Sequence, residues 1–202
     1  MKVLPSGAHG LLLEFADLDE VLAHYAALRE ADLPGVLDLV PAGATILVVT
    51  DRDTDLSALG HRLRRVPPAS HRRTETRPVE VPVRYDGEDL GDLADTLGLT
   101  VPELVERHRE EEWTVAFCGF APGFGYLTGS RHDWDIPRRS TPRTKVPAGS
   151  LALAGAFTGV YPRESPGGWQ LIGHAEVDVF DLDRDPPALL VPGARVRFVE
   201  AS

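Results

Sequence analysis

Cysteine occurs once in 202 residues, at Cys118. That excludes an internal disulfide and any multi-cysteine metal site, and no metal site is expected. Lysine is almost as scarce, with only Lys2 and Lys145. A group that binds an anion must therefore be arginine, a backbone N–H or Lys145. Positive charge as a whole is short: 21 Lys and Arg stand against 31 Asp and Glu, a formal net charge of −10. Neither nucleic acid nor a membrane surface is expected as a partner, because both are gripped by clustered basic side chains. No apolar run nears the roughly 20 residues that cross a bilayer. The opening Met1-Lys2-Val3-Leu4-Pro5-Ser6-Gly7 lacks the apolar segment of a secretory signal, so a cytoplasmic protein is expected.

The familiar catalytic motifs are missing too. There is no Gly-x-x-x-x-Gly-Lys-Ser/Thr loop, no Gly-x-Gly-x-x-Gly after a strand, no His-Glu-x-x-His and no Gly-x-Ser-x-Gly. By motif this is no standard kinase, dehydrogenase or hydrolase. Cys118 closes an apolar stretch and reads as a small buried hydrophobe rather than a nucleophile.

What is present supports a real core, since 43% hydrophobic and 26% charged residues are globular proportions. Gly10–Phe15, Val36–Val40 and Ala44–Val49 read as strands, and stretches opening at Asp17 and running Asp55–Arg65 as helices with apolar residues at helical spacing. The order βαββα needs one closing strand to complete a split βαβ, ferredoxin-like sandwich. His24 and His61 read as surface residues. Pro67–Pro78 has the composition of an exposed connection, so residues 1–77 and 78–202 are expected to be separate domains.

The second half opens with the alternating Val79–Tyr85, where Pro82 favours an edge. Asp89–Leu97 reads as a helix ended by Gly98. Thr100 and Glu103 have the capping-box spacing that starts the next helix. There Val101, Leu104, Val105 and His108 fall at i, i+3, i+4 and i+7, which turns His108 toward the core. Both a hydrogen-bonded structural histidine and a pocket residue fit that placement. Glu110-Glu111-Glu112 reads as a solvated helix end. Trp113–Cys118, Leu151–Ala154, Phe157–Tyr161, Trp169–Ile172, Ala188–Val191 and Arg195–Val199 read as short strands between Gly/Pro turns, the pattern of a compact β-barrel. Asp181–Pro187 reads as a turn.

Three dense stretches lie among them: Gly119-Phe120-Ala121-Pro122-Gly123-Phe124-Gly125-Tyr126-Leu127, Thr141–Ser150 and Tyr161–Trp169. A plain connector seldom carries three aromatics, and these loops are expected to close over one pocket for a small anion. Arg138, Arg139, Arg143 and Lys145 put four cations within eight positions. Guanidinium groups hold a carboxylate or phosphate bidentately, and Gly167 and Gly168 let N–H groups converge on an anion. Ser150, Thr158 and Ser165 could orient an amide or phosphate. Equally consistent is a structural role, with Arg138 and Arg143 paired to barrel carboxylates and the glycines serving turns.

In these stretches the chain resembles the family of 5-oxoprolinase B subunits, also described as sporulation-kinase-inhibitor or allophanate-hydrolase-subunit-1-like. The 119–127 loop carries the resemblance with Pro137-Arg138, Pro142–Ser150, Thr158–Pro162 and Ser165–Gly173, and upstream Tyr85–Leu90 and His108 fit. The resemblance implies a small α/β N-terminal domain and a cyclophilin-like β-barrel. It implies two partners, a 5-oxoprolinase C subunit of related barrel fold and an A subunit, without which this chain is inactive. Together they would open the lactam of 5-oxo-L-proline to L-glutamate, with ATP and Mg²⁺ bound by the complex. Other members imply a sensor histidine kinase as partner, or a urea-derived carboxylate such as allophanate as substrate. On this basis Arg143, Arg138 and His108 are the expected catalytic residues. Phe120, Pro122, Gly123, Phe124, Tyr126, Lys145, Ser150, Thr158, Gly167, Gly168, Trp169 and His174 are expected to bind substrate. The family usually has Arg-Thr where this chain has His174-Ala175, Gln where it has Phe157, and Gly-Asp-x-Ala where it has Gly7-Ala8-His9-Gly10. If the usual Arg binds substrate, His174 replaces its charge only when protonated.

Overall fold

A computed structural model describes residues 1–69 and 78–201, in two compact units, Met1–Glu75 and Thr76–Ser202. The boundary expected near Arg77 and the arginines just before it lie outside the described residues.

In the first unit, alternation of apolar side chains builds a sheet with one buried face. The elements run β1 (Lys2–Pro5), β2 (Gly10–Glu14), α1 (Leu18–Glu30), β3 (Val36–Pro41), β4 (Thr45–Thr50) and α2 (Leu56–Leu63). Leu11, Leu13, Ile46 and Val48 from the strands meet Val21 and Leu28 of α1 and Leu59 and Leu63 of α2 in one core. Acidic N-caps start both helices: Asp17 accepts from Glu20 N–H, and Asp55 from Ser57 and Ala58 N–H. The sheet order is β1-β2-β4-β3, antiparallel throughout. The strand that completes the split βαβ sandwich is β1, supplied ahead of the motif instead of after it. Its four residues are exposed or half-buried and end in proline, so no alternation marks it.

The second unit begins with β5 (Val79–Arg84), α3 (Leu90–Leu97), α4 (Val101–Glu110), β6 (Trp113–Cys118) and β7 (Gly125–Gly129). It continues with β8 (Arg143–Val146), β9 (Ser150–Ala154), β10 (Phe157–Val160), β11 (Ser165–Gly167), β12 (Gln170–Ala175) and β13 (Arg195–Glu200). Seven strands close a barrel in the order β10-β7-β6-β13-β5-β12-β9, while β8 and β11 form a separate two-stranded flap. Closure removes free edges, so the edge expected for Pro82 does not exist. Pro82 lies past the end of the β12 ladder, and its carbonyl accepts Glu176 N–H at 2.8 Å. The strand expected at Ala188–Val191 is only a bridge, Phe180 to Ala188. Its Leu190 is fully buried against Gly125 and joins the barrel core, whereas Val191 is exposed.

Helix α4 carries the capping box on Thr100 and Glu103 and buries Leu104 and His108, whereas Val101 remains 40% exposed. The helix end is less solvated than its three glutamates suggest. Glu111 is buried, and its carboxylate accepts from Ser130 N–H and Oγ at 2.8 Å each and from Trp134 Nε1 at 3.2 Å. It ties the exit of β7 to the helix. No helix among the described residues is long and apolar enough to cross a membrane.

Candidate functional site

Strand β6 delivers the chain to the loop 119–124, which proline and glycine shape. Ala121–Phe124 is a turn closed by Phe124 N–H to Ala121 C=O at 3.0 Å. Pro122 presets φ at its first inner position, and Gly123 supplies the positive φ, 82°, at its second. Gly123 also lies against Phe180, whose Cβ would be 2.4 Å from any Cβ added there. Phe120 differs: it holds φ 66° with a large side chain. It is the centre of a three-residue turn in which Ala121 N–H donates to Gly119 C=O at 2.7 Å. Such turns are strained, yet this one presents a ring that is 57% exposed. Stored strain beneath an exposed aromatic marks a position shaped for contact.

Behind Phe120 stands an aromatic wall. Phe124, fully buried, meets Phe120, Tyr126, Tyr161 and Trp169 edge-on at 5.4, 5.0, 5.2 and 5.4 Å between ring centroids. Tyr126 is 5.5 Å from Trp169 and stacks on Phe117 at 4.5 Å. Phe157, where the family usually has glutamine, packs edge-on to Tyr126 at 5.8 Å.

The cations sort themselves by partner. Arg143 Nη1 and Nη2 donate to both oxygens of Asp89 at 2.8 Å each, and Nη2 also reaches Glu88 at 3.0 Å. Arg139 Nη1 donates to the same Asp89. Asp89 is placed by the backbone: its N–H donates to Leu171 C=O at 3.0 Å and its carboxylate accepts Leu171 N–H at 2.7 Å. Gly87 permits this approach, since a Cβ there would stand 2.3 Å from Leu171 O. Burial pushes the Asp89 carboxyl up, but the hydrogen bonds from Arg143 and Leu171 and the charges of Arg143 and Arg139 outweigh it and hold it below its ordinary value. Lys145 pairs with Glu164 at 3.1 Å. Arg138 makes no ion pair among the described residues and is exposed.

The expected site residues thus divide. Phe120, Pro122, Gly123, Phe124, Tyr126 and Trp169 come together in the loop and wall. Arg143 is committed to Asp89 and Glu88, so its charge is already neutralised. Gly167 faces Arg143 in the flap ladder, and Gly168 C=O accepts Arg139 N–H at 2.9 Å. Ser150 and Thr158 are buried at 5% and 0% exposure. His174 lies over Gly149, where a Cβ would be 2.5 Å from the imidazole. There it lines a groove of about 250 Å³ with Tyr161, Pro162 and Val179.

His108 is sealed in the core at 0% exposure and does not meet the requirement that a catalytic group reach substrate. Thr158 Oγ–H donates to Ala152 O, leaving its lone pairs to accept His108 Nε2–H at 3.1 Å. His108 Nδ1 is then the acceptor for the Tyr85 hydroxyl at 2.9 Å. Burial lowers the imidazole to about 3, so it stays neutral. Burial likewise pushes the Cys118 thiol up to about 11, and Cys118 Sγ–H donates to Leu190 O. Among the described residues no three His, Cys, Asp or Glu side chains gather as a metal would require.

Sequence reasoning passes over Asp89 as a site residue, reading it only as a helix start. It occupies the N-cap position of α3 yet makes no capping bond, because its carboxylate is taken up by the arginines. Tyr161 reads from sequence only as part of a strand and a dense loop.

Known proteins place this architecture. TTHA0988 superposes with a TM-score of 0.81 at 40% identity, covering 96% of this chain but 40% of its own. This chain therefore spans well under half of that longer polypeptide. PH0987 from Pyrococcus horikoshii matches over 97% of its length at 34% identity, with a TM-score of 0.59. The Kluyveromyces lactis urea amidolyase, 15% identical with a TM-score of 0.73 over 99% of this chain and 15% of its own, shares the fold. Among curated proteins, the 5-oxoprolinase B subunit of Escherichia coli O157:H7 is 41% identical over 86% of this chain and 82% of its own length. That of Bacillus subtilis is 36% identical over 90% and 83%. The model of the carboxyltransferase domain, subdomain C and D, matches residues 1–190, and the chain belongs to that family, among its 5-oxoprolinase B-subunit members.

Proposed function

We propose that this chain is the B subunit of an ATP-dependent 5-oxoprolinase that opens 5-oxo-L-proline to L-glutamate together with the A and C subunits. The observation that carries this reading is 41% identity to a 5-oxoprolinase B subunit across 82% of that protein. An unstrained lactam is a poor electrophile, so coupling to ATP hydrolysis is chemically reasonable. This chain carries no phosphate-binding glycine loop, and ATP with Mg²⁺ is assigned to the assembled complex. This chain's part is to bind and orient the substrate on the second domain, residues 78–202, with residues 1–77 as a separate domain. Phe120, Phe124, Tyr126 and Trp169 supply an apolar wall and Arg138 a free charge. Arg143 serves as frame and His108 as packing. The test is reconstitution: chain, partner subunits, ATP and 5-oxoproline together should yield glutamate and ADP, with no product when any is omitted. Turnover without this chain, or tight binding to a sensor histidine kinase with no turnover, would remove the enzyme reading.

The strained turn yields a sharper expectation. Phe120→Gly should raise stability by about 1 kcal/mol, because glycine tolerates positive φ, while lowering turnover or partner affinity. A variant that is more stable and fully active would make Phe120 an accident of the loop.

A further inference from the structure

Three observations on the barrel rim converge on one chemistry. The first is Arg138. Of the four clustered cations, Arg139 and Arg143 pair with Asp89 and Glu88, and Lys145 with Glu164, which leaves Arg138 without an ion pair among the described residues. Its backbone is pinned on both sides: Gln170 Nε2 donates to Pro137 O at 2.8 Å, and Arg139 N–H to Gly168 O at 2.9 Å. Arg138 is thereby held beside Trp169, whose ring packs on Tyr126 and Phe124.

The second observation is Tyr161. It is 2% exposed, yet its hydroxyl has no hydrogen-bond partner among the described residues. The oxygen itself is not among the buried unpartnered side-chain atoms of the described residues, so it reaches the surface as a donor open to a ligand. The hydroxyl reaches the flap, where a Cβ on Gly167 would come within 2.2 Å of it. Glycine leaves that tip uncovered. The third observation is Tyr126, half-buried in the wall, whose hydroxyl likewise has no partner among the described residues. Burial raises both phenols; Tyr126 raises Tyr161 further, and the charge of Arg138 acts on both in the opposite sense. Both phenols therefore keep their protons as donors and lie within reach of the guanidinium's field.

We propose that Arg138, Tyr126 and Tyr161 form a binding site for the carboxylate of a small acid, with the aromatic wall against its ring. One planar cation and two neutral O–H donors match a carboxylate's two oxygens, and none of the three is spent on a partner among the described residues. Applied to 5-oxoproline, the site holds the acid group and leaves the lactam free to react, which rests on the function proposed above. Arg143, bound to Asp89, supports the flap and touches no ligand.

Three probes of equal ring size separate the ideas when titrated into the full-length chain, alone and with its partner subunits, by ligand-observed NMR. They are 5-oxo-L-proline, cyclopentanecarboxylate (acid without lactam) and 2-pyrrolidinone (lactam without acid). Arg138→Gln is expected to weaken both acids on the order of tenfold or more and to leave 2-pyrrolidinone unchanged. Tyr161→Phe, which removes only the hydroxyl, should weaken the acids several-fold. Neither variant should alter the melting temperature, since neither the guanidinium nor the hydroxyl has a bonding partner among the described residues. If cyclopentanecarboxylate binds through Arg138 but 5-oxoproline does not, the acid site stands and the 5-oxoprolinase reading falls. If 5-oxoproline is bound or turned over equally well by both variants, the acid site falls and the enzyme reading stands. Absence of acid binding in every preparation overturns the site as well.

Discussion

Replacing Asp89 by alanine is expected to cost the barrel unit about 3–5 kcal/mol, the usual effect of removing one partner from a buried ion pair. Asp89 is 4% exposed at its side chain, and Arg143, its bidentate partner, 16%. Without the carboxylate, two guanidinium groups and Leu171 N–H lose their acceptor at once. The readout is clean, because Trp113, Trp134 and Trp169 are the only tryptophans and all lie in the second unit. Urea unfolding followed by tryptophan fluorescence therefore reports that unit. Arg143→Met should cost less, since Asp89 keeps Arg139 and Leu171 N–H. An Asp89→Ala barrel that unfolds at the wild-type urea concentration would show the ion-pair frame to be ornamental. The sign with pH follows from the depressed carboxyl. This contribution is complete above the unfolded-state value near 4 and is lost as pH falls through the lower folded value.

That ion pair also marks the limit of what local pattern can disclose. An aspartate just before an amphipathic run looks like a helix cap, and nothing nearby says otherwise. Its true partners lie 50 and 54 residues later in the chain, and only barrel closure brings them together. Glu111 is a similar case, one of three glutamates at a helix end whose hydrogen-bond donors arrive from beyond β7. The aromatic wall was legible because its residues crowd into loops whose glycines and prolines announce themselves. The strands β7, β8 and β11 were not separable from those loops, being three to five residues long and rich in glycine or charge. Fold class survived these misses because it rests on the spacing of many short strands rather than on any one of them. The expectation that Arg143 is catalytic has no such redundancy, because it turns on the direction of one side chain, which here meets Asp89 and Glu88.

The frame and the free charge are complementary. Asp89 can accept from Arg139 and Arg143 together because it has two oxygens and Gly87 lets it approach β12, and Glu88 supplies the second negative charge that balances the pair. Arg138 has no such carboxylate among the described residues, and its backbone is fixed by bonds on either side. In a chain with ten more acidic than basic side chains, 31 against 21, an unpaired arginine on an aromatic rim is a local exception to the overall charge. Its expected ligand follows from that contrast.

The largest pH effect should come from His108, which helical spacing places on the core face and burial holds in the neutral form. In the unfolded chain a histidine protonates near 6.5, whereas burial in the barrel lowers His108 to about 3. Below the unfolded value, the unfolded state binds the extra proton and stability falls with pH, until the folded value is reached. Between pH 6.5 and 5 the loss amounts to about 2 kcal/mol, at 1.36 kcal/mol per unit. His108→Gln keeps an acceptor toward Tyr85 and a donor toward Thr158 but cannot titrate. Its barrel should be less stable than wild type at pH 8 by about 1–2 kcal/mol through imperfect packing and hydrogen bonding. The difference should shrink or reverse by pH 5, because the variant lacks the proton-linked loss. Asp89 does not confuse this window, since its own contribution fails only at lower pH. Urea midpoints that fall in parallel for the two proteins from pH 8 to 5 would mean that His108 accepts a proton without leaving the core, and that Tyr85 and Thr158 do not hold it neutral.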